Sequence, residues 1–251
     1  MTSSLVGSEM CIRDRYIPFA YTAEEIALNH LRHGIYPPES GYVANPYREM
    51  IGAAMRAAIC GALAPANPRM AAELAWRDGC VSHHNNGILA EVFNALIVSM
   101  AYVETDMQVI LDKAMRMIPR DSEFYSVLAF ACQACGQSRD YRQAWELCEE
   151  KYKEYNWVHA YPNLAAEFVA IRFAGNSFER AMTILMMAGQ DNDCTGGPIG
   201  HAYGVMLGLG ALDDKFVAPL RDQLDTYVRT MESQSITSLS KKTTDAILKY
   251  N

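Results

Sequence analysis

The chain lacks any apolar run near the roughly 18 residues that an ordinary membrane-spanning helix needs. Its longest uncharged stretch of note, Cys194–Leu212, is broken by glycines and carries Thr195, Pro198 and His201. An excess of positive charge is missing too: 22 Lys and Arg stand against 29 Asp and Glu, a net charge of −7. With no basic block either, general nucleic-acid binding and an anionic membrane surface are both disfavoured. Nor is there a paired cysteine framework. Seven cysteines, an odd number in a chain too long to need staples, read as reduced thiols of a cytoplasmic protein. The one Cys-x-x-Cys, Cys132-Gln-Ala-Cys135, has no second Cys or His pair at zinc spacing. It sits in an apolar helical pattern and reads as core packing. A basic leader with a continuous apolar segment, convincing two-residue alternation and a fixed-period repeat are also absent. The first excludes a signal peptide, the second gives no support to a sheet-based fold, and the third leaves a helical solenoid as the weaker option.

What is present is apolar material: 50% of 251 residues is hydrophobic and 20% charged, enough for the core of one domain. The first residues stand apart. Leu5–Arg15, LVGSEMCIRDR, is the translation of a nucleotide string that resembles the transposase adapter of sequencing-library preparation. Residues 1–15 are therefore read as a non-native scar, and 16–251 as the native part. Beyond Tyr21 the pattern predicts helix after helix. Thr22-Ala-Glu-Glu25 reads as a capping box, and 35–47, with Pro37, Pro38, Gly41, Asn45 and Pro46, as a loop. An Ala-rich helix is predicted over 48–63, and Asn67-Pro68 opens another that stops at Gly79. Further helices are expected over 86–103, 105–118, 122–135, 140–155, 163–174, 177–188, 195–210, 216–230 and 235–249, with Thr105, Asp140 and Ser177 as caps. The expected fold is an all-α bundle of mutually packed helices.

Three polar knots interrupt this pattern. In Gly189-Gln-Asp191-Asn-Asp193-Cys-Thr195-Gly-Gly-Pro-Ile-Gly200, two carboxylates sit two residues apart at a break between helices. Hard cations such as Mg²⁺ or Ca²⁺ want clustered oxygens of this kind. The plainer reading has Asp193 capping a Gly-rich helix and Asp191 solvated. Gly200, Gly204 and Gly208 make one bare face of that helix, which is read as buried and central. The second knot, Asp78-Gly-Cys-Val-Ser82-His83-His84-Asn85-Asn86-Gly87, reads either as the wall of a polar pocket or as a capped turn. In the third, Trp157-Val-His159-Ala-Tyr-Pro162-Asn163, a capping role explains Asn163 but leaves Trp157 and His159 unaccounted for.

Taken together and in this order, these segments resemble the ADP-ribosylglycohydrolase family. The likeness is to a bacterial branch with a Gly-x-Asp-x-Asp-Cys signature. Asn45–Gly52, Ala64–Pro68, Ala71–Asp78, Ser82-His83 with Asn86-Gly87, His159 with Pro162-Asn163, and Asp191-Asn-Asp193-Cys194 carry it, over about residues 42–245. The resemblance implies an orthogonal all-α bundle around a two-ion site, Mg²⁺ or else Mn²⁺. It implies cleavage of the glycosidic bond between ADP-ribose and an acceptor, so an ADP-ribosylated substrate or an ADP-ribose-like small molecule is the partner. It makes Asp191 and Asp193 metal ligands and catalytic residues, and Thr195 a further ligand in place of Cys194, a poor donor to Mg²⁺. Ser82, His83, Asn86, His159 and Asn163 become substrate-binding residues. The chain also departs from the family. It has no Thr-Asp-Asp motif and no Gly-x-x-x-Gly-x-Ala-x-Gly helix. Ala58 stands where an acid is usual and Gln190 where an aromatic is frequent. The resemblance thus implies the C-terminal portion of the family domain, with impaired turnover and exposed apolar faces. The rival expectations are a non-catalytic helical protein that binds ADP-ribose or a nucleotide, and a helical scaffold with no ligand.

Overall fold

The computed structural model describes residues 20–250; the suspected scar at 1–15 lies outside them. The fold is all-α. Fourteen α-helices run in order among the described residues: α1 (Thr22–Arg32), α2 (Glu39–Tyr42), α3 (Gly52–Arg56), α4 (Ala58–Ala62), α5 (Pro68–Gly79), α6 (Asn86–Ala101), α7 (Met107–Met117), α8 (Glu123–Gln137), α9 (Tyr141–Tyr152), α10 (Ala160–Ala174), α11 (Phe178–Ala188), α12 (Asn192–Leu207), α13 (Asp214–Val217) and α14 (Ile236–Tyr250). No helix among them is long and apolar enough to cross a membrane.

Two helices form the centre. Every residue of α6 except Leu89 is buried, and so is all of α10 except Arg172 and Phe173. A helix apolar on every side has no face for water and ends up surrounded. Helices α3, α4, α5, α7 and α12 pack on α6; α8, α9 and α11 pack on α10. Close approach is built in at Gly61, where a Cβ would lie 2.6 Å from the Ala95 carbonyl oxygen. The polar residues inside these helices meet one another. Asn94 Nδ2 donates to Ala54 O and to Glu167 Oε1, both at 3.3 Å, and Ser99 Oγ donates to Ala64 O at 2.5 Å.

Helix ends follow the sequence in several places. Asn67 accepts from the Met70 N–H, Asp140 from the N–H groups of Arg142 and Gln143, and Ser177 from that of Arg180. Other expectations need correction. The capping box at α1 does not form: the N-cap is Tyr21, without a side-chain cap. Asp106, not Thr105, caps α7. The helix expected over 48–63 is two short ones, α3 and α4. Its first residues are taken by a β-bridge between Met50 and His159, with Ile51 N–H donating to Val158 O. Helix α10 starts at Ala160, capped by His159 Nδ1, so Asn163 lies inside it. Helix α12 is not the buried centre. It buries Thr195, Pro198, Ile199, Ala202 and Tyr203 but leaves Gly197 and His201 exposed, and nothing comes within 4 Å of a Cβ built at Gly204 or Gly208.

The helix expected over 216–230 is absent. Pro219 removes a backbone donor there, and Arg221 and Asp222 follow at φ 50° and 55°. The chain then turns into an antiparallel hairpin, β1 (Gln223–Asp225) with β2 (Ser233–Ser235), Leu224 opposite Gln234. Asp222 caps the start of α14 through Thr237 N–H at 2.7 Å. No residue from Gly204 to Lys249 is fully buried, so this segment adds little to the core.

Candidate functional site

A cavity of about 520 Å³ is lined by Tyr21, Thr22, Glu24 and Leu28 from α1 and its entry, Ile51, Gly52 and Met55 around α3, Trp157 and Val158, and Asp191, Asp193 and Cys194 at the start of α12. Three carboxylates therefore reach one space from opposite ends of the chain. A second cavity of about 650 Å³ is lined by Phe130, Tyr152, Tyr155 and Tyr161 among other residues, with Arg120 and Lys151. It holds no cluster of metal-competent side chains, so the chemistry points to the first.

Asn163 assembles the acidic wall. Its Nδ2 donates to Trp157 O at 2.7 Å and to His159 O at 2.9 Å, while its Oδ1 accepts the Asp191 N–H at 3.0 Å. Asp191 is the N-cap residue of α12 and only 8% exposed, whereas Asp193 is exposed. This reverses the plainer reading of the motif. The ligand atoms of Asp191, Asp193 and Cys194 lie within 4.8 Å of one another, the only such group of three among the described residues. Among the described residues, neither aspartate forms an ion pair with a Lys, Arg or His. Burial raises the Asp191 pKa above the usual carboxylate value, and Asp193 adds to the shift. Burial, then the two aspartates, push the Cys194 thiol well above its ordinary range.

The opposite wall is organised by Arg56. It donates to Glu24 Oε1 at 2.5 Å, to Ser82 Oγ at 3.0 Å and, through Nε, to Asp78. Burial works against its charge, but Asp78, Glu91 and Glu24 outweigh that and hold its pKa above the ordinary arginine value. Gly52 makes room for this pair: a Cβ there would lie 2.5 Å from Glu24 Oε1. His83 is fully buried behind the wall. Its Nε2 accepts the Ala53 N–H at 3.2 Å, which places the neutral ring's proton on Nδ1, 2.8 Å from Ser82 Oγ.

The structure thus places the sequence-predicted residues in two groups. Asp191 and Asp193 line the cavity. Ser82, His83 and Asn163 stand behind it, bonded to Arg56, to the Ala53 N–H and to the Asp191 N–H respectively. His159 caps α10, and burial lowers its pKa. Asn86 is tied to Glu49 Oε1 and the Phe124 N–H. Thr195 is buried with its hydroxyl turned to the Asp191 and Asn192 carbonyls, away from the cluster. Sequence reasoning missed Glu24, Met55 and Arg56. Glu24 was hidden inside the apparent capping box, and Met55 and Arg56 inside an apparently continuous amphipathic helix.

The ADP-ribosylglycohydrolase family profile matches residues 10–246, nearly the whole chain. The protein belongs to the ADP-ribosylglycohydrolase family. No curated protein matches it. The family is generally metal-dependent, and the Asp191–Asp193–Cys194 group is where this member gathers metal-competent atoms. A pair of Mg²⁺ ions demands a surrounding rich in oxygen donors. The cluster offers two carboxylates and a thiol, with the Met55 thioether 3.2 Å from that thiol, while the cavity's third carboxylate, Glu24, is already paired with Arg56. This donor set does not fit a two-Mg²⁺ centre.

Proposed function

We propose that this ADP-ribosylglycohydrolase family member binds an ADP-ribosylated substrate, or an ADP-ribose-like small molecule, in the cavity between Glu24 and Asp191. It hydrolyses the glycosidic bond to the acceptor, with low turnover. The observation that carries this reading is the convergence of Glu24, Asp191 and Asp193 on one cavity. Cleavage at an anomeric carbon passes through an oxocarbenium-like state, which carboxylates stabilise and for which a carboxylate can activate water. Asp191 and Asp193 face the sugar. Glu24, fixed by Arg56 with Ser82 and His83 behind, closes the other side. Trp157, 59% exposed at the rim, offers a flat apolar surface to a base or sugar. A cytoplasmic location, read from the thiols, belongs to the same proposal.

The donor set also favours a second reading, a non-catalytic binder of ADP-ribose. One experiment separates them: calorimetric titration of ADP-ribose with and without divalent ions, beside release of ADP-ribose from ADP-ribosylated protein. Ion-dependent affinity lost in Asp191→Ala, with slow release, supports the hydrolase. Binding with no release under any ion supports the binder. No binding at all overturns both and leaves the scaffold.

A further inference from the structure

The mismatch between donor set and Mg²⁺ has a direction. Cys194 Sγ lies 3.2 Å from Met55 Sδ and 3.9 Å from Asp193 Oδ2. The sulfurs come from different helices, α12 and α3, and both residues line the same cavity as Asp191 and Asp193. Asp191 is more than nine-tenths buried there, hydrogen-bonded to Cys194 and Asp193, and forms no ion pair with a Lys, Arg or His among the described residues. Thiolate and thioether donors select against hard ions and towards Zn²⁺ and softer metals, while carboxylates keep the site suited to a divalent ion. Ligand atoms sharing one Zn²⁺, with Zn–S about 2.3 Å and Zn–O about 2.0–2.2 Å, lie within about 4.5 Å of each other. The observed cluster is closed within 4.8 Å, near that limit.

We propose that Asp191, Asp193 and Cys194, with Met55 as the adjoining soft donor, form a single-ion site for a borderline-soft divalent metal of the Zn²⁺ class, rather than a seat for paired Mg²⁺. On binding, the Cys194 S–H bond breaks, its proton leaves to solvent and a sulfur–metal bond forms; nothing is oxidised or reduced. The inference rests on the donor atoms of the cavity rather than on the substrate reading.

The test uses the full chain, stripped of metal by a chelator, without nucleotide. Co²⁺ is titrated in while the thiolate-to-cobalt absorption in the near ultraviolet is followed. A saturable band at one ion per chain is expected. It should be chased by Zn²⁺, indifferent to a large excess of Mg²⁺, and lost in Cys194→Ser with the helical circular dichroism intact. Met55→Leu should keep the band and weaken Co²⁺ binding. A band that survives Cys194→Ser, Co²⁺ bound without a band, or Mg²⁺ competing at equal concentration overturns the proposal. Unchanged Co²⁺ affinity in Met55→Leu overturns the part assigned to Met55. Since no nucleotide is present, these failures leave the ADP-ribose reading standing, and failure of that reading leaves this result standing.

Discussion

Two acidic groups meet the cavity, one through Glu24 alone and the other through Asp191 and Asp193, and they are completed differently. Glu24, Asp78 and Glu91 share Arg56, a cation supplied by the chain. Among the described residues, Asp191 and Asp193 share none. A buried carboxylate without a partner charge is costly. The first group therefore carries its own cation, whereas the second has no ion pair among the described residues. The comparison separates a paired acid network from an unpaired one more sharply than burial does, since Glu91 and Asp191 are both buried.

Removing Arg56 should break the contrast most severely. Arg56→Ala leaves Asp78, Glu24 and Glu91 without their cation, and a loss of about 3 kcal/mol in urea unfolding is expected, the lower end for a broken buried ion pair. A loss within experimental error would show that the network is not what holds α1, α3 and α5 together. Asn163→Ala strips the bridge from the acidic wall. With the Trp157 and His159 carbonyls and the Asp191 N–H unmatched, about 1–3 kcal/mol should go, together with ADP-ribose affinity. Normal affinity in a stably folded Asn163→Ala would refute its positioning role.

The pH dependence sharpens the comparison further. Burial raises Glu91 well above the ordinary glutamate value, with Arg56 opposing and Asp78 adding to the rise. Burial raises Glu167 likewise, with Asn94 opposing. Both bind their proton more tightly folded than unfolded. Their contribution is full below the unfolded carboxylate pKa and is lost as pH rises through the folded value, by up to about 1.4 kcal/mol per pH unit for each group titrating. Glu91→Gln should flatten that alkaline loss in thermal melts; an unaltered slope would show Glu91 already ionised. The smallest effect belongs to the unpaired group. Asp193→Asn, at an exposed position, should shift ion-free stability by no more than about 0.5 kcal/mol, and a large loss would reveal a structural role for that carboxylate.

Much of the fold was legible because helical apolar periodicity and caps are local signals. Asn67, Asp140 and Ser177 cap where their side chains predict. The errors have non-local causes. The start of the helix expected over 48–63 is taken by pairing with residues 158–159, a partner more than a hundred positions away. The hairpin after Asp222 is polar and exposed, so its strands carry no apolar alternation. At the site, Asp191-x-Asp193-Cys194 was visible as a motif because its donors are adjacent in sequence. Glu24 and Met55 were not, since only the approach of α1 and α3 to the start of α12 makes them neighbours. His83 bonds to the Ala53 N–H and to Ser82, and Asn86 to Glu49, partnerships that spacing alone does not encode.

The bridge made by Asn163 gives the cavity a built-in reporter. The amide hydrogen of Asp191 is held by the Asn163 side chain rather than by a helical carbonyl, and the same side chain holds both carbonyls of the Trp157 rim. That hydrogen exchanges with solvent only when the bridge lets go. Its exchange rate should follow opening of the rim rather than fraying of α12, and slow when a ligand closes the cavity.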